Sequence, residues 1–72
     1  MQTLTFPLDR EHIALNDLLK LAGVADSGGA GKALVAAGEV AVDGVPESRK
    51  TAKIRAGQVV TLPGVTIRVV AA

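Results

Sequence analysis

The chain has 72 residues, a net charge of +1, no cysteine and one aromatic side chain, Phe6. That length sets a single domain, 1–72, near the lower limit for a core that stands unaided, and the lack of cysteine excludes disulfides and thiolate metal sites and fits a reducing compartment. The N-terminal stretch MQTLTFPLDREH carries acids where a signal peptide needs apolar residues, and no apolar run nears the roughly 20 residues of a membrane span, so a cytoplasmic protein with no membrane partner is expected.

In chain order, Thr3-Leu4-Thr5-Phe6 alternates polar and apolar and predicts a short edge strand stopping at Pro7. Leu15, Leu18, Leu19 and Ala22 fall at i, i+3, i+4 and i+7, the stripe of a helix that ends at Gly23. Ala30, Ala33, Leu34 and Ala37 repeat that spacing, with Asp26 or Ser27 as N-cap and Gly38 as the stop. After Gly38 the period changes to two. Val40 and Val42 lead into Asp43-Gly44, a tight hairpin signal, and Pro46 limits central pairing of the returning strand. Gln58–Leu62 reads as a further strand, Pro63-Gly64 as a turn, and in the last strand Val65, Ile67 and Val69 alternate with Thr66 and Arg68. The order predicts an α+β domain in which two packed short helices cover a small, mainly antiparallel sheet. A core of Leu, Val, Ile and Ala, with Phe6 in it, leaves little room for a substrate cavity.

The segment DSGGAGKALVAAG, residues 26–38, invites comparison with a nucleotide phosphate loop. Such a loop needs GxxxxGK[ST] between a strand and a helix. Here Asp26 stands at the first glycine position, Ala33 follows Lys32, and no strand directly precedes. The nucleotide reading fails. What remains is a helix N-terminus of small residues, whose free N–H groups suit an anion. Helical geometry turns Lys32 about 200° from Leu34 and sets Gly28 beside it on the outer face.

Charge is divided unevenly. Before Ser48 there are three cations against seven acids; from Ser48 onward Arg49, Lys50, Lys53, Arg55 and Arg68 meet no acid. Such asymmetry points to an anionic partner. Catalysis has little to work with: His12 is the only histidine and the carboxylates are scattered, so no catalytic residue, metal ligand set or cofactor is expected.

The run LNDLLKLAGVADSGGAGKALVAAGEVAVDGVPESRKTAKIRAGQVVTL resembles the S-four RNA-binding domain, named after small-subunit ribosomal protein four. Leu15–Gly23, Ser27–Lys32 and Gly38–Gly44 match its successive blocks, and the N-terminal strand with ESRKTAKI resembles the small stand-alone bacterial YbcJ-type branch. The resemblance implies an αL fold that binds structured RNA, ribosomal or transfer RNA, in association with ribosomes, and no enzymatic activity. It implies contacts from Ser27, Gly28 and Lys32 on the second helix and from Arg49, Lys50, Lys53 and Arg55 beyond the hairpin. Two positions depart from the family pattern: Gly28 stands where arginine is usual, and Asp43 replaces asparagine at the hairpin turn, a change of turn geometry more than of binding. With no Trp or Tyr in the chain, base stacking is not expected to drive affinity, which leaves shape and phosphate contacts. The competing reading is a β-grasp-like protein-interaction or sulfur-carrier module; carriers of that type activate a terminal Gly-Gly, whereas this sequence ends Ala71-Ala72.

Overall fold

The computed structural model describes residues 1–72. In chain order the elements are β1 (Gln2–Leu8), β2 (Ile13–Ala14), α1 (Leu15–Leu21), α2 (Gly28–Ala36), β3 (Ala41–Val42), β4 (Val45–Pro46), β5 (Lys53–Ile54), β6 (Val59–Leu62) and β7 (Val65–Ala71). Five strands form one sheet in the order β1-β7-β6-β3-β4, and β2 pairs with β5 in a separate two-stranded ladder. All pairings are antiparallel except β1 with β7. The α+β architecture, with two helices on a mainly antiparallel sheet, is the one the pattern implies.

Register decides which side chains face the helices. Leu4, Ile67, Val60 and Val42 lie opposite one another across four strands. The row alongside reads Thr3, Thr66, Thr61 and Ala41. Side chains alternate faces, so the first row feeds the core and the second meets water. Val60, Ile67 and Val69 from the sheet, Leu15, Leu18, Leu19 and Val35 from the helices, and Ile54 from β5 form the buried centre. Phe6 only flanks this cluster and stays partly exposed.

β1 runs through Pro7 instead of stopping there. Gln2 donates to the Gly64 carbonyl at 2.8 Å and the Leu8 carbonyl accepts from Ala72 at 3.0 Å. Even-numbered residues of β1 therefore turn their backbone groups toward β7, and odd-numbered ones toward the open edge. Pro7 is odd. Its missing N–H costs no ladder bond, and it blunts the edge.

The helix boundaries follow the pattern: Ser27 Oγ caps α2 by accepting from Ala30 N–H at 3.1 Å, and Gly23 and Gly38 (φ 80° and 76°) follow the two helix ends. The buried face of α2 departs from it. Gly31 and Val35 are the buried residues, while Ala33 and Ala37 are exposed and Ala30 and Leu34 only half-buried. The reason is a close approach between helices. A Cβ on Gly31 would lie 2.6 Å from the Asn16 carbonyl oxygen and 3.2 Å from its Cα. Only glycine permits that spacing, so α2 turns its glycine edge toward α1 and its alanines outward. Gly28 shares this edge instead of the outer face, since a Cβ there would meet Asn16 Nδ2 at 3.5 Å and Asp17 Oδ1 at 3.8 Å.

This contact predicts opposite outcomes at two glycines of one helix. Gly31→Ala gains about 1 kcal/mol of helix propensity but pushes against backbone, for a net loss of about 1–3 kcal/mol. At Gly29 a Cβ would meet only Ser27 Oγ, at 3.8 Å, and Gly29→Ala should stabilise by about 0.5–1 kcal/mol. Urea unfolding measures both; stabilisation by both substitutions contradicts the close approach.

Candidate nucleic-acid interface

Helix α1 starts without a side-chain cap, because its N-cap residue is Ala14. Its first N–H groups find acceptors elsewhere in the chain. Leu15 donates to the Ala52 carbonyl at 2.9 Å and Asn16 to the Lys50 carbonyl at 3.1 Å. The segment after the hairpin thus serves as the helix cap. It is further anchored by buried Ala52 and Ile54 and by the pairing of Ala14 with Lys53 in the β2–β5 ladder. Backbone bonding and buried side chains hold the segment in place, while Lys50 and Lys53 point their charges to solvent.

Asn16 joins the two sequence-predicted clusters. Its N–H bonds the Lys50 carbonyl, and its own carbonyl lies against Gly31, one residue from Lys32. Asn16 is a buried residue, 7% exposed, with Oδ1 lacking a hydrogen-bond partner. Lys32 itself is exposed; with α2 turned on Gly31 and Val35, it flanks the helix–helix contact instead of lying opposite the buried stripe. Arg49, Thr51, Ala52 and Lys53 line an open surface groove of about 480 Å³.

Ion pairing then sorts the five candidate cations. Arg49 Nε donates to Glu47 Oε2 at 3.2 Å and Arg49 Nη2 to Oε1 at 3.1 Å, while the Arg49 backbone N–H donates to Oε2 at 3.0 Å. Arg55 Nη1 donates to Glu11 Oε1 at 3.2 Å. Lys32, Lys50 and Lys53 make no ion pair. Arg68, the remaining late cation, lies across from Thr5 and Val59 in the sheet, on the outer face with Thr66. Ser27 is occupied as the α2 cap, and Gly28 lies against Asn16 and Asp17. The Asp17 carboxylate lies beside Gly28 at this helix start, which makes it a poorer anion site than a free N-terminus.

Sequence reasoning did not find Glu47 and Glu11 as partners. For Glu47 the signal was present, since Glu47-Ser48-Arg49 places opposite charges two apart in the loop after the hairpin. Glu11 and Arg55 are 44 residues apart, and only the fold brings them together. Asp43 shapes the hairpin as its position implied. It adopts φ 51°, its Oδ1 accepts from Val59 N–H at 2.9 Å, and its N–H donates to the Val59 carbonyl at 2.8 Å. No group of three or more His, Asp or Glu side chains is placed to hold a metal ion, and no helix is long and apolar enough to cross a membrane.

The chain as a whole is similar to known proteins. The family model for the S4 domain matches residues 6–70. The putative RNA-binding protein YbcJ of Escherichia coli K12 is 48% identical over 68 residues, which cover 93% of this chain and 97% of YbcJ. The probable ribosome maturation protein RlbA of Bacillus subtilis 168 is 40% identical over 57 residues, 79% of this chain and 80% of RlbA. Among solved structures, the solution structure of E. coli YbcJ, described as an αL motif involved in RNA binding, superposes with a TM-score of 0.74 over 93% of this chain and 86% of that one.

The hydrogen bonds from Arg49, side chain first and backbone second, hold the Glu47 carboxyl below its ordinary value of 4.5, and the same side-chain bond raises the Arg49 guanidinium. A folded-state value below the unfolded one means that the pair contributes at neutral pH and is lost as pH falls through that lowered value. An NMR titration of the Glu47 carboxyl carbon should therefore give a midpoint below 4.5. A midpoint at or above it contradicts the pairing.

Proposed function

The chain belongs to the S4 domain family, and from that premise we propose that it is a non-enzymatic RNA-binding protein that holds folded RNA by its phosphates. The observation that carries this reading is the segment 49–53, pinned to the start of α1 by the Lys50 and Ala52 carbonyls and offering Lys50 and Lys53 without acid partners. Lys32 supplies a third unpaired cation across Asn16. Arg49 and Arg55 stand at the margins of this surface, each engaged by a glutamate, and Ser27 and Gly28 act by placing α2 near the backbone of the RNA. A rigid array of cations suits an RNA of fixed shape, because the loop need not be ordered when the ligand arrives.

The RNA class proposed is ribosomal or transfer RNA, and the setting is the ribosome or its maturation in the cytoplasm. Support comes from the relatives: one is named a putative RNA-binding protein and another a probable ribosome maturation protein. The poverty in aromatic side chains supports a phosphate-and-shape mode over base stacking.

Charge reversal tests the surface. Lys50→Glu with Lys53→Glu should weaken binding to structured RNA at least about tenfold at low salt, while circular dichroism and the unfolding midpoint stay near those of the parent. For the parent, the slope of log K against log salt should be roughly −2 to −3, from three phosphates at about 0.7–0.9 each. Parent-like RNA affinity in the folded double variant would remove this assignment.

A further inference from the structure

Taking the phosphate-binding surface above as given, we propose that Glu47 is an internal stand-in for phosphate that occupies Arg49 and withholds it from RNA that does not fit. Guanidinium binds carboxylate and phosphate in the same bidentate way, through two parallel N–H groups. At Arg49 the edge formed by Nε and Nη2 is already filled by the two oxygens of Glu47, at 3.2 and 3.1 Å. The carboxylate is fixed more firmly than the arginine. The Glu47 side chain is 17% exposed against 77% for Arg49, and its backbone N–H is tied to the Val40 carbonyl at 3.0 Å across the hairpin. The Arg49 backbone N–H holds the same carboxylate from a second direction.

Arg49 also lines the groove with Lys53, so any phosphate seated there lies beside the Glu47 charge. A loosely held polyanion therefore meets lysines plus a neutralised arginine. Only a phosphate positioned to replace the carboxylate on Arg49 gains the bidentate contact. With the arginine side of the pair largely in solvent, the pair is screened enough to exchange on binding. Glu47 would thus lower affinity in general and leave it least lowered for the RNA that fits, which is discrimination by a competing contact.

Glu47→Gln is the discriminating variant, because the amide oxygen still accepts from the Arg49 N–H while the charge is gone. Fluorescence anisotropy with labelled unfractionated transfer RNA, over a range of salt, compares the parent, Glu47→Gln, Arg49→Ala, the double variant, and Glu39→Gln as a charge-matched control. Glu47→Gln should tighten binding about two- to fivefold beyond the control, and it should steepen the salt slope by about 0.7–0.9. In the Arg49→Ala background its effect should fall to that of Glu39→Gln. Equal gains with and without Arg49, or a gain no larger than the control's, overturn the proposal. A separate reading comes from the Arg49 Nε–H resonance without RNA: slowed exchange in the parent, lost in Glu47→Ala, is expected. Fast exchange in the parent overturns the clamp even if RNA binds. If the clamp resonance is as expected and neither parent nor variants bind RNA, both the RNA-binding reading and this role for Glu47 fall.

Discussion

The fold depends on how the first turn of α1 is satisfied. Ala14 has no side-chain oxygen to offer the free N–H groups of Leu15 and Asn16, so the carbonyls of Ala52 and Lys50 take them. One residue later the same stretch of backbone receives α2, with Gly31 against the Asn16 carbonyl. Asn16 is thus a junction where a helix start, a loop and a second helix meet through main-chain atoms. In a chain of 72 residues with one aromatic side chain, large side chains cannot wedge elements into position. Small residues and backbone bonds set the geometry instead.

That junction also bears on where the cations of a nearly neutral molecule lie. The late segment of the chain is rich in lysine and arginine, and its carbonyls are directed at α1, which leaves its long side chains in solvent. Acids then divide the cations into two kinds. Arg49 and Arg55 are matched by Glu47 and Glu11, and Lys32, Lys50 and Lys53 are unmatched. Arg68 is removed altogether, because strand alternation puts it with the threonines on the outer face of the sheet. A net charge of +1 is therefore a poor guide to the local field, which is set by which cations keep a partner.

Much of this was legible in the residues. The leucine stripe of α1, the glycines after each helix and the Asp43-Gly44 turn act locally, so a short window contains their cause. The alternation of β7 is of the same kind, and so is the α2 cap, which falls on Ser27 of the two candidates Asp26 and Ser27. Other features were hidden because their causes lie far away in sequence. The two-residue ladder of β2 and β5 is too short to show a period, and it exists because Ile13 and Ile54 are buried side by side. The parallel pairing of β1 with β7 joins the two ends of the chain. The burial of α2 on Gly31 instead of its alanines inverts the usual expectation that apolar side chains mark the buried face. At the candidate interface, the basic segment was visible as composition; of the two glutamates that quench its members, Glu47 lies within a short window of Arg49, whereas Glu11 is brought to Arg55 only by the fold.

The central claim is that the surface built around Asn16, from Lys32 across to the 49–53 segment, is where RNA is held. It is tested most directly by titrating isotope-labelled protein with a structured ribosomal or transfer RNA and mapping the perturbed backbone amides. The account predicts that the changes concentrate at residues 28–32 and 48–54, with the outer face of β1 and β7 unaffected. Perturbations centred on Thr3, Thr66 and Arg68 instead, with the Asn16 junction silent, would contradict it.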